Sequence, residues 1–242
     1  MKINLVCPII ILDNVSNPDI RKNDVKIFKL LVNKRDNGLV SVGLNENKSI
    51  KNTLRNHIKN IIGSDKFHLE QVYTLGEERY YIDSSIDIIH LAVMNAEEVK
   101  KLDVDYVLID FSINNNVITF GNKKYSFRTV EEISNNNIEY FHRIDVDDLY
   151  LEKCLLEILI AYKHLKMKLD FSDIIFKFMG NTFTLEEVRN VYELIKSTSV
   201  DKSNFRKRII KYCEEVSVES VKRGYRPSKV YKFKAMEGDV WL

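Results

Sequence analysis

Three prolines and eight glycines in 242 residues leave this chain short of turn and hinge residues, which excludes collagen-like, linker-like and low-complexity architectures. Long hydrophobic runs are missing as well: no segment approaches the roughly 20 uninterrupted apolar residues that a membrane-spanning helix needs. Residues 1–12 lack the basic stretch and small-residue cleavage site of a signal peptide, so a cytoplasmic location is the expectation. Cysteine is scarce. Cys7, Cys154 and Cys213 lie far apart in apolar surroundings, match no metal-ligand or redox spacing, and read as buried free thiols. Net charge is small, with 37 Lys and Arg against 35 Asp and Glu, which excludes a uniformly polybasic or acidic chain. What is plentiful is Asn, Lys and Ile, the composition of an AT-rich bacterial genome, and a 45% hydrophobic content sufficient for one large core or two modest ones.

The balanced total hides an asymmetry. Between Lys196 and Lys234 stand twelve Lys and Arg against four Asp and Glu. A basic excess confined to one short stretch is the electrostatic footprint of a polyanion-binding element, or else the solvated face of an ordinary helix.

Hydrophobic periodicity divides the chain in two. In the first half, alternating apolar runs predict strands at 3–12, 25–33, 69–75 and 85–94, interrupted by one helix at 49–62. A further strand pair, 106–111 and 117–120, is joined by the turn at 114–116, and Asn135 to Asn137 mark another loop. Strands flanking a helix suggest an α/β sandwich. The pattern then changes: Leu155, Leu156, Leu159, Ile160, Tyr162 and Leu165 recur at helical spacing and predict a helix over 149–169. The domain boundary is placed at its start, giving 1–147 and 148–242.

In the second half the start signals are unusually complete. Thr184 can cap a helix, Glu187 three residues on completes a capping box, and Phe183 can staple onto Val188. Leu185, Val188, Tyr192 and Ile195 share one face of that helix. After a polar turn at 197–199, Asp201 caps a second helix, predicted to run to Val216, with Val200 placed to staple onto Phe205. At about 100° per residue, Phe205, Ile209, Tyr212 and Val216 face inward. The outward side holds Ser203, Asn204, Lys207 and Lys211, flanked by Arg206 and Arg208, and Lys202 at the helix start joins them as a DNA-binding candidate. Lys and Arg contact guanine edges and phosphates and Asn pairs with adenine, so this is a major-groove surface. Residues 216–221 and 228–233 alternate like a hairpin whose tip carries Arg223 and Arg226, with Lys229 at its base. Helix, tight turn, helix and basic hairpin make a winged helix-turn-helix.

Four blocks carry a resemblance to a known family. Phe183-Thr184-Leu185-Glu186-Glu187-Val188, Val191-Tyr192-Glu193, Asp201-Lys202-Ser203-Asn204-Phe205-Arg206-Lys207 and Arg226-Pro227-Ser228-Lys229-Val230-Tyr231 resemble the C-terminal signature of the Nudix-related transcriptional regulators. Upstream, Leu69 to Gly76 resembles the segment that follows the Nudix helix. The resemblance implies an α+β chain, a Nudix-like α/β/α sandwich followed by a winged helix. It also implies a homodimeric repressor of NAD or sugar metabolism genes that binds a palindromic operator and responds to ADP-ribose or a related nucleotide or sugar phosphate.

The catalytic box of that fold needs glutamates on one helical face to hold divalent cations. With the closing glycine at Gly63, Asn56 and His57 fall at its Arg-Glu, Ile58 at its aliphatic position, and Asn60 and Ile61 at its paired glutamates. The expectation is no catalytic residue, no metal and no cofactor. His57 without a carboxylate partner reads as a surface or loop-packed histidine; Glu78, Asp83 and Asp87 are candidates for an unusual site, or else solvent-facing loop acids. The family's Arg-rich stretch after the glycine is reduced here to Arg79, followed by Tyr80 and Tyr81. Arg35 and Arg79 are candidates for a pyrophosphate and Tyr81 for stacking on a base, or all three are ordinary surface residues. The alternative reading of the whole chain is a divergent hydrolase of nucleoside diphosphate derivatives.

Overall fold

A computed structural model describes residues 2–15, 25–44, 49–76, 85–134, 137–216 and 229–234. It forms two compact units, Met1–Met167 and Lys168–Leu242.

The first unit is built on a ten-stranded sheet. β1 (Lys2–Cys7) and β2 (Ile9–Val15) form one extended run broken at Pro8, where the predicted strand at 3–12 was continuous. Proline has no N–H to give a ladder, yet its carbonyl still accepts from Ala92 N at 3.1 Å. Both halves therefore pair in parallel with the same long strand, β6 (Ser85–Asn95). β3 (Val25–Asn33) pairs with β2, β4 (Val40–Gly43) with β1, and β5 (His68–Leu75) with β6 across a bulge between Gln71 and Tyr73. β7 (Tyr106–Asn114) and β8 (Val117–Phe120) extend the sheet beyond β3. Their two-residue turn, Asn115-Asn116, has φ of 47° and 60°, the positive pair that a tight hairpin demands and that Asn tolerates better than most residues. A long hairpin, β9 (Lys123–Ser134) and β10 (Asn137–Ile144), completes the edge; the sequence reading marked the loop at 135–137 without strand ranges around it.

Helix α1 (Ile50–Ile62) starts at Ser49, whose hydroxyl accepts from Asn52 N, and ends at Gly63. Gly63 has φ 70°, and a Cβ there would stand 2.7 Å from Lys101 Cγ, so a side chain is excluded by both backbone and space. The helix buries Leu54, Ile58, Ile61 and Ile62 against Leu5, Cys7, Ile9, Ala92 and Met94. Strand alternation sends the neighbours Asn4, Val6 and Asp87 to the opposite face, which is covered by α2 (Leu149–Lys168). There Lys153 meets Asp87, and Tyr162 packs edge-on to Phe111 at 5.7 Å. Two helices on opposite faces of one sheet make the expected α/β/α sandwich.

The boundary moves by one helix. The sequence reading gave α2 to the second domain, whereas it belongs to the first unit, because its buried side chains are committed to the sheet. Asp87 is likewise corrected: it is buried, not solvent-facing. Among the described residues no helix is long and apolar enough to cross a membrane.

Candidate nucleic-acid interface and ligand site

The second unit is assembled around aromatic rings. Phe176, in a 3-10 turn over Ile174–Phe178, lies 4.7 Å from Phe233 and 5.5 Å from Phe183 by ring centroids. Phe183 bridges Tyr231 through a reciprocal pair of backbone hydrogen bonds of 2.9 and 2.8 Å. That bridge sets a third short rail beside the pair β11 (Cys213–Val216) and β12 (Val230–Phe233).

Helix α3 (Leu185–Lys196) begins with the capping box read from sequence. Glu187 N donates to Thr184 Oγ1 at 3.1 Å and Thr184 N to Glu187 Oε2 at 2.7 Å, so two otherwise orphaned donors are satisfied. Val188, Val191, Tyr192 and Ile195 are its buried residues; Val191 joins the predicted face, while Leu185 is only half-buried. The helix closes at Ser197 in the left-handed region, φ 56°. Val200 N then donates to Glu193 Oε1 at 2.9 Å, fixing the turn, and Asp201 caps α4 (Lys202–Ile209) by accepting from Asn204 N at 2.8 Å.

This second helix is shorter than expected. It stops at Ile209, continues as a 3-10 turn over Ile210–Tyr212, and becomes strand from Cys213. Val216 therefore belongs to β11 and not to an inward helical face. Pairing with Val230–Phe233 satisfies the backbone of 213–216 in extended form, a long-range gain that local helical periodicity does not reveal.

Phe205 and Ile209 are buried, as read, with Phe205 5.3 Å from Tyr192. Lys202, Ser203, Asn204, Arg206 and Lys207 are exposed. Among the described residues none of Lys202, Arg206 and Lys207 has a carboxylate partner within ion-pair distance. Lys211 is exposed too, but it sits in the 3-10 turn over the Tyr212 ring at 4.8 Å, off the helical face assigned to it. Arg208, by contrast, is occupied. Its guanidinium stacks on Tyr192 at 4.6 Å and approaches Asp170 at 3.6 Å. Asp170 also accepts from Tyr192 Oη at 2.9 Å and pairs with Lys196 at 2.6 Å. The Lys196 hydrogen bond leads in holding the Asp170 carboxyl below its ordinary value, with Tyr192 and Arg208 adding to it against the cost of burial. This hub ties the segment before α3 to both helices, and the sequence reading missed it.

The wing base differs from expectation. Lys229 is exposed but paired with Glu215 at 2.7 Å, and Lys232 faces Glu214 across the ladder at 3.3 Å. Opposite charges placed on adjacent strands compensate each other, so Lys229 is not a free cation. Arg223 and Arg226 lie outside the described residues.

In the first unit α1 carries amides at positions that the resemblance aligns with acids of the catalytic box. Asn56 and Asn60 are exposed, and Ile61 is 3% exposed in the core. His57 is half-buried; burial pushes its pKa down, a backbone bond at Ser41 and the charge of Asp103 oppose this, and its Nε2 has no hydrogen-bond partner among the described residues. Among the described residues no group of three or more His, Cys, Asp and Glu could hold a metal ion. Arg35 stands in the turn after β3, 81% exposed, 3.5 Å from Asp105. Arg79, Tyr81, Glu78 and Asp83 lie outside the described residues.

Comparison with known proteins agrees with both units. Residues 175–233 match the NrtR DNA-binding winged helix domain. A MutT/nudix family protein from Enterococcus faecalis superposes with a TM-score of 0.63 at 17% identity, over 95% of this chain and 88% of its own. NrtR from Shewanella oneidensis superposes with a TM-score of 0.62 at 14% identity, over 97% and 94%. The same protein complexed with a 27mer DNA gives 0.61 at 15%, over 96% and 93%. A search of curated proteins finds no match. Residues 175–233 thus match an NrtR-type DNA-binding winged helix domain, and the chain as a whole has the fold seen in NrtR from Shewanella oneidensis and in the MutT/nudix family protein from Enterococcus faecalis.

Proposed function

We propose that this chain is a transcriptional repressor that binds duplex DNA through α4, acts as a homodimer on a palindromic operator, and has no hydrolase activity. The carrying observation is the exposed face Lys202, Ser203, Asn204, Arg206 and Lys207 on a helix whose other side is locked by Phe205 and Ile209. A solvated face that merely offsets the helix dipole would need cations only in the last turn. Here Lys202 and Asn204 stand in the first turn, where a recognition helix meets base edges. Lys229 is paired with Glu215, and α4 carries the sequence-reading share. The reading that NAD or sugar metabolism genes are its targets, and ADP-ribose or a related nucleotide or sugar phosphate its effector, rests on the family resemblance. Arg35, Arg79 and Tyr81 remain its proposed contacts.

Fluorescence anisotropy on a duplex selected from random sequence by the full chain tests the docking. Lys207→Ala is expected to weaken binding and to lower the slope of log affinity against log salt by about one. An unchanged affinity and slope would remove α4 from the interface.

A further inference from the structure

The hairpin of β9 and β10 carries a charge arrangement that its own ladder does not explain. Arg128 on β9 and Arg143 on β10 are direct partners in the antiparallel register, and both are exposed. Residues opposite each other in such a ladder have Cβ atoms about 5 Å apart, where like charges destabilise the pair. Elsewhere in the sheet a cation at such a position meets an acid: Lys29 on β3 stands opposite Asp110 on β7 and pairs with it at 3.0 Å. Strand alternation sends both arginines to one side of the hairpin. The other side meets α2, where Lys163 Nζ reaches His142 Nε2 and lies over the Phe127 ring at 5.8 Å, and Thr129 Oγ1 contacts His142 Nδ1 at 3.3 Å. Arg128 and Arg143 therefore point away from α2.

On that side lies an open groove of about 210 Å³, lined by Ser126, Phe127, Arg128, Arg143, Ile144 and Asp145. The Phe127 ring is turned toward α2 and Ile144 is 2% exposed, so these two give the groove a backbone floor, and the other four side chains form its walls. Asp145 N donates to Ser126 O at 2.9 Å, which continues the ladder one rung past Phe127 and Ile144 and sets Ser126 and Asp145 on the arginines' side. Among the described residues neither guanidinium has a hydrogen bond or an ion pair, and Asp145 comes within ion-pair distance of neither. The groove thus offers two unengaged guanidinium forks and one carboxylate, a net positive charge.

We propose that this groove binds the dianionic phosphate of a small phosphomonoester, held between Arg128 and Arg143. A guanidinium presents paired N–H donors at the spacing of phosphate oxygens, and two opposed forks suit the three terminal oxygens of a monoester. The dianion also replaces the repulsion between the arginines with an attraction to each. A phosphodiester carries one charge on two oxygens and an organic group on either side, so it gains less from two forks. Asp145 sets a further limit, because a carboxylate in the wall repels additional negative charge and so disfavours polyphosphates and a nucleic-acid backbone. The volume lies below the range of drug-sized pockets, which restricts the ligand to a phosphate and a few carbons. The site is separate from α4 and from Arg35, Arg79 and Tyr81, so it stands or fails apart from the function proposed above.

Titration calorimetry of the full chain at low salt compares inorganic phosphate and glycerol 3-phosphate with dimethyl phosphate. The expected result is at least tenfold tighter binding of the first two, with an affinity that rises between about pH 5.5 and pH 7.5 as phosphate takes its second charge. Arg128, Arg143 and Asp145 are the ionisable side chains lining the groove, and dimethyl phosphate, whose charge is fixed, controls for them. Arg128→Gln and Arg143→Gln should each weaken phosphate binding at least tenfold. Without phosphate each variant should melt at the same temperature as the unaltered protein or higher, because the opposed charges are gone, and each should bind duplex DNA as before. Arg128→Lys, which keeps the charge and loses the fork, should fall between. No heat and no thermal shift at millimolar phosphate, equal binding of dimethyl phosphate, or phosphate binding that survives both glutamine substitutions would overturn the proposal. So would loss of DNA affinity in either glutamine variant, which would assign the arginines to the DNA backbone.

Discussion

Asp170 shows how one carboxylate can organise a small domain. It receives Tyr192 Oη, Lys196 Nζ and the Arg208 guanidinium, and each comes from a helix that the DNA-reading face depends on. With its side chain 48% exposed the hub is screened by solvent, so its worth is set at about 1 kcal/mol and no more. The carboxyl is held below its ordinary value in the folded state. A depressed acid stabilises the fold above the unfolded pKa, and that contribution is lost as pH falls through the folded one. Asp170→Asn is therefore expected to lower the unfolding free energy by about 1 kcal/mol at pH 7, with the difference from the unaltered protein closing below about pH 4. Denaturant titrations at the two pH values measure both; an equal loss at both would assign the effect to packing. Arg208 carries the same lesson about reading sequence. By helical angle it flanks the basic face like Arg206, and only the positions of Tyr192 and Asp170, distant in sequence, show that it is structural.

At the level of elements, what was legible is what is written locally. The capping box at Thr184 and Glu187 is a four-residue code, and it sets the start of α3 as read. Thr184→Ala should cost about 1 kcal/mol of the stability of the Lys168–Leu242 unit, followed by the loss of helical signal on denaturation, whereas Thr184→Ser should be nearly neutral. If alanine and serine behave alike, the cap hydroxyl is not what starts the helix. The end of α4 had no such code. Ile209, Tyr212 and Val216 keep a helical spacing, and the strand that overrides it is fixed by Val230–Phe233, across a stretch of chain that no local pattern spans. β9 and β10 escaped for another reason: Lys123–Ser134 alternates too little between apolar and polar to signal a half-buried strand. The turn at Asn115-Asn116 was legible because positive φ at both positions selects Asn.

Across the whole molecule the proposed DNA-reading face was open to sequence reasoning because it lies on one helix, while the buried cluster around Asp87 was not. Asn4, Asp87, Lys153 and Glu157 come from three elements, and no local pattern joins them. The catalytic box that the resemblance aligns with α1 was legible as chemistry, and the fold shows why α1 is not one substitution from holding a metal. Divalent cations and a pyrophosphate need several carboxylates on one helical face, and α1 offers the exposed amides Asn56 and Asn60 and the half-buried His57. Ile61, at the second of the paired positions, is 3% exposed and packed in the core. ADP-ribose with Mg²⁺ is therefore expected to release AMP at the buffer rate, by phosphate assay after phosphatase treatment. Asn60→Glu, on the exposed face, should leave stability within about 0.5 kcal/mol. Ile61→Glu should cost about 3 kcal/mol or more, because it buries a carboxylate without a partner, and neither alone should raise the rate. AMP release well above buffer by the unaltered chain would make it the hydrolase that its helix argues against.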